Sequence, residues 1–167
     1  MAEQDWKPAH ESLAAYLNDH LVGAETGVRL FRAASDTWQG SEYESVFTSL
    51  AEELSGERDE LENLIIALGY GRSKVKALAG WAGALIGRLG PMNPLSTGGG
   101  PTGQLELEML QSLVRQKESM WRTLLVLSAR DRRFNPVRLR ELLDAAQRQQ
   151  QEVAHVMEAT AVARFLT

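Results

Sequence analysis

The chain has 167 residues, with 18 Lys and Arg against 22 Asp and Glu, a net charge of −4 and no cysteine. That length is the usual size of one domain with a real core. The missing cysteines exclude disulfides, thiolate metal sites, iron–sulfur clusters and cysteine nucleophiles and suit a reducing cytoplasm, while the mild acidity offers no overall basic field for nucleic acid.

In chain order, Met1 to Pro8 is polar and lacks the charged-then-apolar pattern of a signal peptide. Leu13, Leu17, Leu21, Ala24, Val28 and Phe31 then recur at alternating spacings of three and four, which predicts a helix over 10–34. After a break from Ser35 to Gly40, the stripe Val46, Leu50, Leu54, Leu61, Leu64 and Leu68 predicts a second helix over 42–68, stopped by Gly69-Tyr70-Gly71. Val75, Leu78, Ala79, Ala82, Leu85, Ile86 and Leu89 predict a shorter helix over 73–89. Arg72, Lys74, Lys76 and Arg88 flank its apolar body, which would suit a membrane surface, but the preferred reading is a crossover helix whose glycines allow close approach to the rest of the fold. The segment Ser96 to Pro101 superficially suggests a phosphate loop but lacks the Gly-Lys-Ser/Thr that such a loop requires. Leu110, Leu113, Met120, Leu124 and Leu127 predict a helix over 104–130. Asn135-Pro136 reads as an N-cap followed by proline at the first helical position, opening a last helix over 136–166 along Leu139, Leu142, Ala146, Val153 and Met157. No strand-like alternation occurs, and no apolar run reaches the roughly 18 residues of a membrane span.

Four helices of roughly 25 to 30 residues, each about 40 Å long, can lie side by side along their whole length. Short connections make the first two and the last two antiparallel hairpins. The connection over 69–103 is long enough to return the chain along the bundle, leaving the second and third long helices parallel. The expected fold is therefore all-α: a ferritin-like four-helix bundle with one long crossover carrying a short extra helix.

A resemblance points the same way. Tyr16 to Ala24 with Gly27, Glu57-Arg58-Asp59 before Leu64 and Gly69, Pro94-Leu95-Ser96, Glu106-Leu107-Glu108, and Lys117 to Trp121 together resemble an uncharacterised family of bacterial ferritin-like proteins, over most of the chain from about residue 10. The resemblance implies the fold and invites comparison with di-iron bundles, which place a Glu on each of two helices and Glu-x-x-His on each of the other two. It supplies no catalytic role.

The last helix does contain Glu152-Val153-Ala154-His155, but the angular position of His155 is almost opposite the apolar stripe, so it should face solvent. The second helix offers Glu53, Glu57 and Glu60 without a matching His, and Lys117 falls in the middle of the supposed metal layer. A protonated lysine is a poor ligand. Register suggests a different use of these residues. Counting from the helix ends places Glu57, Lys117, His20 and either Gln149 or Gln150 at one height, all leaning inward. A buried charge is tolerated mainly when paired, so the expected site is a structural polar layer of His20, Glu57, Lys117, Gln149 and Gln150. The alternative is a small-ligand or single-metal pocket, with iron or manganese, built on His20, Glu53 and Glu57.

Other chemistry finds less support. His10 has no acid and nucleophile beside it in any triad pattern, the four tryptophans have no basic run between them, and Arg130-Asp131-Arg132-Arg133 reads as a solvated helix end. The reading expected from sequence is thus a cytoplasmic, non-enzymatic structural or interaction protein without a cofactor, pairing as a homodimer through an exposed helix face. A metal-dependent oxidoreductase or ligand-binding bundle is the alternative.

Overall fold

The computed structural model describes residues 10–71 and 101–166. These form four helices and, among the described residues, no strand: α1 (His10–Thr37), α2 (Glu44–Ala67), α3 (Pro101–Ser128) and α4 (Pro136–Phe165). The segment expected to form a helix over 73–89 lies outside the described residues, as does the loop over 96–100. Among the described residues no helix is long and apolar enough to cross a membrane.

Local chemistry fixes the ends. Asn135 accepts from the backbone of Val137 (3.0 Å) and Arg138 (3.3 Å), with Pro136 supplying the first turn's fixed φ. At the end of α2, Gly69 takes φ 77°, which lets Tyr70 donate back to Ile65 (3.1 Å) and Gly69 to Ile66 (2.9 Å), closing orphan carbonyls. Two boundaries lie three residues from expectation, and the others lie closer. The helix expected to stop at 34 continues to Thr37, where Ser35 reaches Thr48 of α2 (2.7 Å) instead of breaking the turn. The helix expected from 104 begins at Pro101, since a proline in the first turn lacks only an N–H that would be orphaned anyway.

Cross-helix contacts give the topology. His10 meets Tyr70 (3.0 Å) at one end of α1 and Ser35 meets Thr48 at the other, so α1 and α2 are antiparallel. Arg138 on Glu60 (2.7 Å) and Arg148 on Glu53 (2.6 Å) make α4 antiparallel to α2. Gln150 on Glu118 (2.7 Å) and Arg164 on Gln104 make α4 antiparallel to α3. Helices α2 and α3 therefore run the same way, and α3 begins at the end of the bundle opposite to where α2 stops.

The two hairpins are the closely packed units. They meet through α1 against α3 and, more sparsely, α2 against α4. Leu17, Phe31, Phe47, Leu50, Leu61, Ile65, Leu107, Leu110, Met120, Trp121 and Leu124 are essentially inaccessible and form the core. Burying side chains of this size contributes about 1.5–3 kcal/mol each before the entropy of ordering is subtracted. The wider α2–α4 seam is bridged instead by long polar side chains, which sets up the site.

Candidate functional site: a buried polar layer

Halfway along the bundle, α2 and α3 stand diagonally across the core, and Lys117 spans the gap. Its ammonium donates to Glu57 Oε2 and to Gln149 Oε1. Gln149 is fully buried, and its amide nitrogen donates to Glu57 Oε1 and Glu53 Oε2, each at 2.9 Å. From the surface, Arg148 closes the layer onto Glu53 (2.6 Å) while its other nitrogen holds Glu152 (2.6 Å). Two cations thus face the two carboxylates Glu53 and Glu57, and one neutral amide ties three of the four together. Burial pulls the Lys117 ammonium below its ordinary pKa, with Glu57 pulling the other way. Burial works to raise the Glu53 carboxyl, but the hydrogen bonds from Arg148 and Gln149 outweigh it and leave it below the ordinary value.

Beside this layer is a recess of about 40 Å³ between α1, α2 and α3, bordered by His20, Gly23, Gly27, Glu57, Lys117 and Trp121. His20 leans edge-on against Tyr16 at 4.6 Å between ring centroids, and burial lowers its pKa against the opposing pull of Asp19. A neutral imidazole is thus favoured. A second, wider groove of about 310 Å³ lies nearer the end where α2 stops, under Arg133 and Arg138. Its arginines are already engaged, Arg138 with Glu60 and Glu141 and Arg133 with Asp131.

Sequence register placed five residues in one layer. The structure brings Glu57, Lys117 and Gln149 into direct contact and sets His20 at the edge of the adjoining recess. Gln150 goes elsewhere, because the next position on a helix is turned by about 100°. It donates to Glu118 Oε2 (2.7 Å) on the α3–α4 seam. Glu118 is the residue that sequence reasoning passed over. It is 4 % exposed, and it also accepts from Gln147 (3.3 Å) and Arg122 (2.6 Å), with Arg115 at 3.4 Å. The Gln150 hydrogen bond is the largest influence. It acts against burial and with Arg122 and Gln147 to hold the Glu118 carboxyl down at about 2. The signal was present as Arg115-x-x-Glu118-x-x-x-Arg122, two cations at helical neighbour positions.

His155 is exposed, and Glu152 is committed to Arg148, so the Glu-x-x-His spacing of α4 does not present a ligand pair inward. Among the described residues no three His, Asp or Glu side chains converge as a set that could hold a metal ion. The pocket of His20, Glu53 and Glu57 is likewise not assembled around a vacant centre, because Gln149 bridges the two carboxylates and Lys117 is bonded to Glu57. At the far end, the cluster over 130–133 is more ordered than a solvated turn: Arg133 chelates Asp131 and stands 5.9 Å over the Tyr70 ring.

No family model matches the chain, and no curated protein or solved structure matches it.

Proposed function

We propose that this chain is a non-enzymatic structural or interaction protein, a bacterial, cytoplasmic ferritin-like bundle in which a polar layer takes the place of a metal centre. The observation that carries the reading is the position of Lys117. Its ammonium sits where Glu57 and the Gln149 carbonyl converge, with Glu53 tied in through the same amide, so the chain supplies its own cation to the buried carboxylate. A divalent ion there would have to displace a covalently tethered charge held in a low-dielectric interior, where a pair broken by removing one partner is costly. The parallel course of α2 and α3, with the long connection between them, supports the ferritin-like element of the proposal. A second copy of the chain, docked through an exposed helix face, is the partner this reading expects.

Elemental analysis tests it. Protein purified from cells supplemented with iron and manganese should carry well below one equivalent of either. Stoichiometric metal that disappears in Glu57→Ala would instead establish the metal-dependent alternative on His20, Glu53 and Glu57.

A further inference from the structure

We infer that the recess beside the layer is a built hydration site, holding about two or three water molecules as fixed parts of the folded protein. The inference rests on the geometry of the layer and not on the function proposed for the chain.

Size comes first. A space of about 40 Å³ admits two or three waters, each needing roughly 10–15 Å³ measured in this way, and it is too small for a cofactor or metabolite. The space is made by α1, which presents glycine at positions 23 and 27. A Cβ added at either residue would meet no heavy atom within 4 Å, although Gly27 is itself buried. A well-packed interior does not usually leave such room.

Polarity decides what fills it. An apolar void stays dry, but a water with two to four polar partners is stable. The ammonium of Lys117 has three N–H groups and, among the described residues, two acceptors, Glu57 and Gln149. Trp121, 1 % exposed, borders both this recess and the wider groove, and its indole nitrogen has no acceptor among the described residues. His20 adds a ring that in its neutral form offers one donor and one acceptor. Glu57 retains lone pairs beyond those it uses. Waters bridging these groups would supply the missing acceptors and lessen the cost of burying the lysine.

Filling the recess separates a wet site from a dry one. Gly56 of α2 is exposed and likewise has open space around its Cα, so Gly56→Ala reports helix propensity alone and should raise Tm by about 2–4 °C. If the recess were a dry void, Gly27→Ala would gain at least as much, because its methyl would also be buried. With waters bound, the same methyl displaces them and strands donors, so Gly27→Ala should melt below the unsubstituted protein. In parallel, the Trp121 indole N–H, assigned by its loss in Trp121→Phe, should show direct cross-relaxation to long-lived water that vanishes in Gly27→Ala. A Gly27→Ala gain matching that of Gly56→Ala overturns the inference. So does an indole N–H with no water contact, or one whose water contact survives the substitution.

Discussion

Helix α3 carries two buried carboxylates twelve residues apart, and they live in opposite worlds. Glu118, in the middle of the bundle, is met by Gln150, Gln147, Arg122 and Arg115, and its carboxyl is held down at about 2. Glu106, near the start of the same helix, is equally hidden at 4 % exposure, yet one carboxyl oxygen has no partner among the described residues. Burial alone pushes that group up to about 7. Depth therefore does not decide what a buried acid does; the donors brought to it do. The middle of the bundle receives cations from α3 and α4 and glutamines from α4, whereas at the end containing Glu106 that oxygen receives no donor among the described residues.

The largest test of the comparison is the pair at its centre. Lys117→Met leaves Glu57 buried without its cation and should cost about 3–5 kcal/mol in denaturant unfolding. Adding Glu57→Leu should recover much of that loss, since replacing both charges by apolar groups of similar volume is often nearly neutral. A double variant no more stable than the single would mean that the layer is not a closed unit.

The next test uses pH, and the two acids have opposite signs. Glu106 holds its proton more tightly folded than unfolded, so its contribution to stability is fully present below about 4.5 and is lost as pH rises through about 7. Glu106→Gln should consequently stabilise the protein at pH 8 relative to the native chain, with the advantage shrinking to nothing by about pH 5. Glu118 binds its proton less tightly when folded, so its contribution is present above about 4.5 and is lost as pH falls toward about 2. Glu118→Gln should accordingly flatten the acid limb of the stability profile and leave the neutral limb unchanged in slope. Matching pH profiles for the two variants would erase the distinction drawn between the sites.

The smallest expected effect lies outside both sites. Asn135→Ala removes the acceptor that fixes the start of α4 and should cost about 1 kcal/mol. Because α4 carries every glutamine in question, the chemical shifts of the Gln147, Gln149 and Gln150 amides should remain in place if the cap stabilises the helix without setting its register.

The four long helices were legible in the sequence because the period of three and four is produced by the same burial that the fold requires. Their relative directions followed from connection lengths. The pairing of Glu57 with Lys117 could be reached by counting turns, since two helices of similar length that start at similar heights keep step at 1.5 Å per residue. Choosing between Gln149 and Gln150 could not, because a turn of about 100° is comparable to the uncertainty in where an apolar stripe is centred. Glu106 shows a different limit. Its place on the stripe announces burial, but whether a donor reaches it depends on neighbours contributed by other helices, and no spacing within α3 encodes that. The open space over Gly27 is equally silent in one dimension, where a glycine in a helix reads only as a loss of propensity.

One amide has a consequence for how the chain avoids the wrong structure. Gln149 presents its carbonyl to Lys117 and its nitrogen to Glu53 and Glu57. Its neighbours one turn away on the same face are Ala146 and Val153, both buried and apolar. Sliding α4 by a single turn in either direction would set a methyl group against the ammonium and leave the carboxylates facing hydrocarbon. Leucines and valines along a stripe would tolerate that slip nearly as well as the true alignment, because they differ little from one another. A side chain that both gives and takes, and that carries no charge of its own to be met from any angle, does not tolerate it. Against stripes of interchangeable apolar contacts, Gln149 makes one alignment of α4 far more favourable than the next.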